Sequence, residues 1–390
     1  METIITNKTA CIITAFYNYD FPIRIKHLSS FLQNRGYRIK IITSDFNHRN
    51  KTYYKIDDRN VMQVHVPNYT SNLSIRRVLS HKIFSEKAYE VCCRYNPSLV
   101  YVITPPNYLF KLFSKLKKEN NVYVVYEIED LWPETLPFSP LLKKILFPVL
   151  RVWKKIRDDF LYLDDNIVSE CNLFKEYLLK IKRYKNIKTI YLTKECGKIK
   201  CDYSVKKEKK HIDFIYIGSV NHLIDIEVII NCLQEVSNYK KIIFHIIGMG
   251  ENMKYLLKQC KLYGINVNNH GEIYNEKEKE NILRNMDFAF NIMKKSVTVG
   301  VTMKSIDYFY YGIPIINNIG GDTQKIIDDY GCGINLLSND YISQCKQIAD
   351  LDEVSLSRMK RQSRCVYEEK FSYMCYEKDM TIFFKMIGLE

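Results

Sequence analysis

Short apolar segments alternate with helical patterns in two successive series along this chain of 390 residues. Each apolar segment is rich in β-branched residues and is followed by an amphipathic stretch, as in parallel β–α–β units. The alternation predicts an α/β protein with two doubly wound parallel sheets. The strands are predicted at 10–15, 38–44, 61–66, 99–104, 122–128, 166–169 and 188–192, and then at 213–218, 241–247, 265–270, 287–292, 313–317 and 333–336.

A polar, lysine-rich stretch without clear periodicity separates the two series and predicts the domain boundary. The N-terminal domain is expected at 1–192, a linker at 193–211 and the C-terminal domain at 212–372. Residues 373–390 form a predicted amphipathic helix that can pack back on the N-terminal domain. Because open parallel sheets bind ligands at the carboxyl ends of their strands, we expect the functional residues in strand-to-helix loops that face a cleft between the domains.

The chain carries 58 lysine and arginine residues against 44 aspartate and glutamate residues, a net charge of +14. Such an excess favours anionic partners, although a lysine-rich composition alone accounts for part of it. No segment has the roughly 18 consecutive apolar residues of a membrane-spanning helix. The sequence contains no nucleic-acid-binding motif and no spacing typical of metal ligands. We therefore expect it to bind neither a nucleic acid nor a metal ion. The 12 scattered cysteines, without a CxxC pair, indicate free thiols in a reducing cytoplasm.

Positive charge is concentrated in the stretch from Leu141 to Arg157, which reads LLKKILFPVLRVWKKIR. Six basic residues, no acid and interleaved large apolar side chains are typical of a helix on an anionic membrane surface. Pro148 predicts a break into two shorter helices. The alternative is a helix that packs on the core and exposes a basic face.

Glycine turns follow the first two strands of the second series. Gly218 and Ser219 come after the first strand, and Gly248 and Gly250 come after the second. Glycines at these points allow a ligand to approach the backbone, although similar turns also occur for purely structural reasons. Because the spacing Gly-x-Gly-x-x-Gly is absent, a nicotinamide cofactor is not expected.

The segment from Gly300 to Asn317 combines a helix start with charged residues. Thr302 can cap a helix whose free N–H groups bind an anion, and Lys304 supplies a cation in the first turn. Asp307 follows on nearly the same helix face. The pattern predicts a phosphate at the helix N-terminus and a carboxylate that accepts hydrogen bonds from sugar hydroxyls. The alternative is a solvated ion pair between Lys304 and Asp307.

An acidic segment with one of the chain's two tryptophans lies at the end of the strand predicted at 122–128. Its carboxylates, around Trp132, are those of Glu127, Glu129, Asp130 and Glu134. Carboxylates accept hydrogen bonds from sugar hydroxyls, and an indole can stack on a sugar ring. The segment therefore predicts a sugar site. The alternative is a set of acids at a helix start, with the indole in the core.

These segments resemble the GT-B glycosyltransferases of family 4, and among them enzymes of bacterial capsule, O-antigen and exopolysaccharide synthesis. The resemblance covers nearly the whole chain. Its most specific parts are the box from Asp130 to Glu134, which reads DLWPE, and the segment MKSIDYFYYGIPII, which begins at Met303. Weaker parts are the Gly218 turn, the IGMGE segment after the second strand, and a first helix that contains Arg24.

The resemblance implies a retaining hexosyltransferase with two Rossmann-like domains that face a central cleft. The second domain is implied to bind a UDP-sugar through Gly218, Ser219, Gly250, Gly300, Thr302, Met303, Lys304 and Asp307. The first is implied to bind a polyprenyl-diphosphate-linked glycan, at the inner face of the cytoplasmic membrane, through Arg24, Asp130, Trp132 and Glu134.

In this family the leaving phosphate is thought to accept the acceptor proton. The resemblance therefore implies no protein nucleophile, metal or cofactor, and the catalytic residues stay unassigned, with Glu129 and Asp130 as candidates. The first of two family glutamates falls on Val299, and two cationic positions fall near Ser219 and Ile224. These departures leave two other hypotheses open: a catalytically degenerate partner subunit, and a sugar-nucleotide epimerase of similar fold.

Overall fold

The computed structural model describes residues 8–17, 23–72, 74–120, 122–136, 138–161, 166–194, 210–336 and 340–389. The chain divides into two compact units. The first consists of Met1–Leu192 and Tyr376–Glu390, and the second of Thr193–Cys375. Residues 195–209, most of the expected linker, lie outside the described residues.

Each unit contains one parallel sheet. The strands of the described chain are β1 (Lys8–Ile13), β2 (Tyr37–Ser44), β3 (Phe46–Asn47), β4 (Thr52–Tyr53), β5 (Val61–Val64), β6 (Leu99–Thr104), β7 (Tyr123–Ile128), β8 (Asn166–Ser169), β9 (Asn186–Thr189), β10 (His211–Ile217), β11 (Lys241–Ile247), β12 (Val267–Gly271), β13 (Phe288–Asn291), β14 (Ile315–Asn317) and β15 (Gly333–Asn335).

The two sheets share one topology. Their strand orders are β5-β2-β1-β6-β7-β8-β9 and β12-β11-β10-β13-β14-β15, and all their neighbouring strands are parallel. In both, the chain builds outward from the first strand in one direction and then in the other, which makes a topological switch point beside that strand. The prediction of two doubly wound sheets is confirmed, and each predicted strand end lies within three residues of an observed one.

Helices connect the strands. In the described chain they are α1 (Ile23–Gln33), α2 (Ile75–Arg94), α3 (Tyr108–Asn120), α4 (Pro140–Ile145), α5 (Phe147–Leu161), α6 (Asn172–Ile181), α7 (Ile226–Ser237), α8 (Met253–Leu262), α9 (Glu276–Leu283), α10 (Met303–Tyr311), α11 (Asp322–Tyr330), α12 (Tyr341–Asp350), α13 (Glu353–Val366) and α14 (Tyr373–Met386). A π-helical turn at Tyr367–Phe371 follows α13.

The central strands are buried along their whole length. All six residues of β6 and six of the seven in β10 are buried. Predominantly apolar segments of this kind are expected of parallel strands that are covered on both faces, although β10 also contains the buried Asp213. Each sheet therefore lies at the centre of its own hydrophobic core.

The stretch from Leu141 to Arg157 forms two helices, as its proline predicts. Helix α4 ends at Ile145 and α5 begins at Phe147, with Pro148 in the first turn of α5. A proline there removes an N–H group that has no partner within the helix.

In the first unit, α14 packs on α1. The Phe384 ring meets the Phe31 ring edge-on at 5.0 Å, and Arg35 donates to the Thr381 hydroxyl at 2.7 Å. Residues 376–390 thus belong to the same unit as the N-terminal sheet.

Candidate functional site

The switch point of the second sheet lies between β10 and β13. Gly218 directly follows β10, and Asn291 is the last residue of β13. The loop after Asn291 leads to α10, which begins at Met303. The sequence-predicted donor residues are therefore grouped at the edge where doubly wound sheets bind ligands.

The glycines of this edge have two different roles. A Cβ on Gly248 would lie 2.2 Å from the Gly218 carbonyl oxygen, and one on Gly250 would lie 2.4 Å from that of Val220. Both therefore allow two loops to pack backbone against backbone. Gly218 has φ +115°, and a Cβ there would meet no atom within 4 Å. It combines a backbone conformation that favours glycine with open space for a ligand.

The start of α10 is tied to the end of β13. Thr302 caps the helix: its hydroxyl accepts from the Ser305 N–H at 3.2 Å, and the Ser305 hydroxyl accepts from the Thr302 N–H at 3.1 Å. The Thr302 hydroxyl also donates to Asn291 Oδ1 at 2.8 Å. Among the described residues, no acceptor receives a hydrogen bond from the N–H groups of Met303 and Lys304 in the first turn.

Three asparagines end neighbouring strands and form a ladder across the sheet edge. Asn291 donates to Asn317 at 3.0 Å, and Asn317 donates to Asn335 at 2.8 Å. Asn291 and Asn317 are buried. The ladder fixes the carboxyl ends of β13, β14 and β15 relative to one another and, through Thr302, to α10.

Lys304 is a largely buried cation. Its Nζ lies 3.4 Å from the Tyr216 hydroxyl and 4.7 Å from the centre of that ring. In the described part of the chain it forms no ion pair with a carboxylate. Burial lowers the pKa of Lys304 to about 8. A buried ammonium group without a counter-ion is an unfavourable arrangement that a bound anion relieves.

Asp307 pairs with other lysines. Its carboxylate lies 2.5 Å from Lys194 Nζ and 3.5 Å from Lys279 Nζ. The alternative of an ion pair between Lys304 and Asp307 is thus not the arrangement observed. About one fifth of the Asp307 side chain is exposed, so solvent reaches this carboxylate.

The remaining donor-side residues differ in accessibility. Gly300 is buried, and its carbonyl oxygen accepts a hydrogen bond from the Thr323 N–H at 3.0 Å. Ser219, in contrast, is exposed. Ile224 is 4% exposed and belongs to the core of the second unit. A lysine or arginine at position 224 could reach a ligand only if this loop had a different conformation.

Sequence reasoning missed two cations near this edge. Lys294 and Lys295 are exposed in the loop that follows β13. Their position after a predicted strand of the second series is a signal that could have identified them. They add positive charge at the carboxyl edge of the second sheet.

In the first unit, Arg24 forms a buried ion pair with Glu127 at 2.5 Å. Arg24 also donates to the backbone oxygens of Tyr191 at 3.0 Å and Ile190 at 3.2 Å. Burial opposes its charge, but the Glu127 carboxylate raises the pKa of Arg24 above its ordinary value. Arg24, which the resemblance places at an acceptor site, is 8% exposed and joins α1 to the sheet.

Three further carboxylates follow the ends of β7 and β8, those of Glu129, Asp130 and Glu170. Burial and the neighbouring Glu127 carboxylate raise the pKa of Glu129 to about 8. Burial and the charges of Glu129 and Asp130 raise the pKa of Glu170 well above its ordinary value. The structure thus adds Glu170 to the sequence-predicted acids, and a group with a pKa near 8 can hold or release a proton near neutral pH.

Trp132 is 6% exposed and lies in a small aromatic and aliphatic cluster. Its ring stacks with that of His81 at 5.7 Å, and the Arg77 guanidinium lies 4.6 Å from the indole centre. The Trp132 side chain is thus largely buried within this cluster of the first unit.

Glu134 is held by a network of donors. Arg157 lies 2.5 Å from its carboxylate, Lys154 2.8 Å and the Tyr177 hydroxyl 2.6 Å. Burial opposes the charge, but these hydrogen bonds lower the pKa of Glu134 to about 2. Arg157 itself is 1% exposed, so this member of the basic stretch points into the protein and anchors α5.

The rest of the stretch from Leu141 exposes large apolar side chains together with basic ones. The apolar residues that are 59–69% exposed are Leu141, Ile145, Phe147, Val149 and Val152. Lys143, Lys144, Arg151 and Lys155 are exposed beside them. An exposed apolar surface rimmed by positive charge is typical of an interaction site. None of the described helices is both long and apolar enough to cross a membrane.

Within the described ranges, no group of three or more His, Cys, Asp or Glu side chains is arranged to hold a metal ion. Lys304, Lys294 and Lys295 contribute positive charge at the carboxyl edge of the second sheet, together with the N-terminus of α10.

Comparison with known proteins shows the fold. No family model and no curated protein matches the chain by sequence. Solved structures match over nearly the whole chain. Sucrose-phosphate synthase from Thermosynechococcus elongatus superposes with a TM-score of 0.70 at 10% identity, over 98% of this chain and 99% of that one. The chain has the GT-B fold.

Two further GT-B structures give the same result. The lipopolysaccharide outer core galactosyltransferase WaaB has a TM-score of 0.64 at 13% identity, over 97% of this chain and 99% of that one. Anabaena HepE, solved with UDP and glucose, has a TM-score of 0.65 at 10% identity, over 97% and 100% of the two chains. At these sequence identities the similarity shows only that the chain has the same fold. The function has to be inferred from the side chains of this protein.

Proposed function

We propose that this GT-B protein is a glycosyltransferase whose second unit binds a UDP-sugar. The observation that carries the proposal is Lys304, a largely buried cation without a described counter-ion at the switch point of the second sheet. A diphosphate supplies the missing negative charge, and the free N–H groups at the start of α10 supply hydrogen bonds. The solved HepE complexes contain UDP and UDP-glucose.

Each donor residue has a defined part in this proposal. Lys304, with the amides of Met303 and Lys304, stabilises the leaving diphosphate. Gly218 and Ser219 line the open space beside β10, and the Asp307 carboxylate accepts hydrogen bonds from the ribose. Positioning and charge stabilisation of this kind supply most of what a transfer with a good leaving group requires. Protein groups fulfil these roles here, so we propose that transfer needs no metal or cofactor.

The first unit is proposed to bind the acceptor. Glu129, Asp130 and Glu170 offer carboxylates at the carboxyl edge of the first sheet, and Glu129 or Asp130 is the candidate for proton handling. The transfer is proposed to retain the anomeric configuration, as the resemblance to family 4 implies: the acceptor oxygen bonds to the anomeric carbon on the face from which the diphosphate departs, and the departing phosphate accepts the acceptor proton.

A membrane-bound acceptor accounts for the exposed apolar and basic surface of α4 and α5. We propose a lipid-diphosphate-linked glycan, elongated by a hexosyltransferase similar to family 4 at the cytoplasmic face during bacterial surface polysaccharide synthesis. Sedimentation with vesicles tests the surface: binding to phosphatidylglycerol vesicles and not to phosphatidylcholine vesicles is expected, and equally weak binding to both contradicts it.

A thermal-shift panel of UDP, GDP, dTDP, ADP and CMP tests the donor proposal. A ligand present at 100 times its dissociation constant adds about 2.7 kcal/mol to the free energy of unfolding. A selective shift with UDP is expected, followed by release of UDP from one UDP-sugar when acceptor is added. Conversion of the nucleotide sugar without acceptor would indicate an epimerase instead.

Two observations favour a second candidate, a non-catalytic GT-B subunit. Val299 stands where the family has a glutamate, and Ile224, near an expected cation, is buried in the core. A folded protein that shows no thermal shift with any nucleotide of the panel would support this candidate over the enzyme.

A further inference from the structure

An apolar groove lies on the first unit between the start of α2 and the helices α4 and α5. Its volume is about 600 Å³, within the range of small-molecule sites. The indoles of Trp132 and Trp153, the only two tryptophans of the chain, line it. All its lining residues belong to the first unit.

The walls of the groove are hydrocarbon side chains in contact with water. Ile75 is 89% exposed, Val149 64% and Val152 61%. An apolar partner that covers these side chains removes hydrocarbon surface from water, which is favourable. The groove therefore favours an occupant with a hydrocarbon body.

One end of the groove is polar and positively charged. Arg77 lines it and is 8% exposed; it donates to the Asn72 carbonyl at 2.7 Å and forms no ion pair with a described carboxylate. Lys51 donates to the Asn72 side chain and lies 4.7 Å from the centre of the Tyr69 ring. Burial and then the charge of Arg77 lower the pKa of Lys51. Two cations thus lie beside a hydrocarbon-lined space, and neither forms an ion pair with a described carboxylate. The Asp130 carboxylate acts on Arg77 only from beyond ion-pair distance.

We propose that this groove binds one hydrocarbon chain of a lipid phosphate, with the phosphate group on Arg77 and Lys51. The occupant has to be amphiphilic, because the groove is apolar along its walls and cationic at one end. A free phosphate leaves the hydrocarbon walls in water, and a neutral lipid leaves the two cations without an ion-pair partner. The inference rests on the proposed function in that it assigns a place to the lipid part of the acceptor.

Intrinsic tryptophan fluorescence tests the groove directly, since both indoles line it. The protein is titrated with farnesyl diphosphate in the presence of saturating UDP, which occupies the donor site. A saturable emission change is expected, with affinity at least tenfold higher than for farnesol or inorganic pyrophosphate. Equal affinity for farnesol and farnesyl diphosphate would overturn the role of the cations.

Matched variants locate the binding. Val149→Glu places a carboxylate in the groove at an exposed position, so the fold is expected to tolerate it. Ile342→Glu, at a residue 63% exposed in the second unit, is the control. Farnesyl diphosphate is expected to bind Val149→Glu at least tenfold more weakly and Ile342→Glu with unchanged affinity. Unchanged affinity in both variants would overturn the proposal.

Two further results separate this proposal from others. Binding to phosphatidylglycerol vesicles without any response to farnesyl diphosphate would indicate that this surface contacts a bilayer. It would overturn the proposal that the groove binds a lipid phosphate. The UDP thermal shift is recorded on the same protein: a UDP shift without farnesyl diphosphate binding refutes the groove alone. Farnesyl diphosphate binding without a UDP shift refutes the donor proposal alone.

Discussion

The ammonium group of Lys304 lies 4.7 Å from the centre of the Tyr216 ring and 3.4 Å from its hydroxyl. Tyr216 is the next-to-last residue of β10, and Lys304 is in the first turn of α10. The contact therefore places a cation at the switch point of the second sheet. An aromatic ring attracts a cation but does not neutralise it, so the charge stays available to an anionic ligand.

The affinity for UDP is predicted to depend on the protonation of Lys304. Burial lowers its pKa to about 8, and a bound diphosphate raises it because a nearby negative charge favours the protonated form. Binding thus takes up a proton, so affinity is greatest below pH 8 and falls as the pH rises above it. A loss of about tenfold between pH 7.5 and 9.5 is expected by calorimetric titration. A Lys304→Met variant that keeps the same pH dependence would show that another group titrates.

Asp307→Asn is predicted to weaken the binding of UDP without weakening the binding of pyrophosphate. The variant loses a charged acceptor for the ribose, so UDP is expected to bind about tenfold more weakly, while pyrophosphate affinity is not reduced. Parallel titrations of UDP and pyrophosphate measure both. If UDP affinity is unchanged, the role of Asp307 is confined to its ion pairs with Lys194 and Lys279.

Gly248→Ala is predicted to destabilise the second unit. Its Cβ would lie 2.2 Å from the Gly218 carbonyl oxygen, and φ of +135° disfavours any other residue. A loss of about 2 kcal/mol in the free energy of unfolding is expected by urea denaturation. Gly320→Ala is the control, because its new Cβ would meet only the Gln324 side chain at 3.7 Å. Equal free energies of unfolding for the two variants would mean that the loops of Gly218 and Gly248 can move apart without loss of stability.

Arg24→Met is predicted to be destabilising because it leaves the Glu127 carboxylate buried without its partner. The expected loss is about 3–5 kcal/mol, and the double variant Arg24→Met/Glu127→Leu is expected to recover most of it. Lys82→Met, which breaks an exposed pair with Glu86, changes stability by less than about 1 kcal/mol. Denaturation of all three variants checks this. A stable single variant that has lost acceptor affinity would instead place Arg24 at the acceptor site.

Much of the fold could be predicted from the sequence because its strands are nearly continuous apolar segments. Buried strands such as β6 and β10 leave a strong local pattern. The hairpin of β3 and β4 was not predicted, since strands of two residues have no periodicity to detect. The break at Pro148 could be predicted because it depends on one residue and its own backbone.

The site was less predictable because its side chains depend on distant partners. Glu127 lies 103 positions from Arg24, and Tyr216 lies 88 positions from Lys304. No local pattern in the sequence therefore reveals that Arg24 and Glu127 form a buried ion pair. Nor does one reveal that Lys304 contacts a tyrosine instead of a carboxylate. Arg157 belongs to a basic stretch in the sequence but points inward to Glu134. Glu170 could have been found by the rule that identified Glu129, since both directly follow predicted strands.

The most direct test of the donor site is calorimetric titration of UDP into the wild-type protein, Lys304→Met and Lys325→Met at pH 7.5. Removal of a buried cation that lacks a counter-ion is not expected to destabilise the fold, so Lys304→Met should be stable. Lys325 is 76% exposed and pairs with Asp329, and it serves as the control. UDP is predicted to bind the wild type and Lys325→Met equally and Lys304→Met at least tenfold more weakly. Equal affinity for all three proteins, or no binding to the wild type, would contradict the assignment.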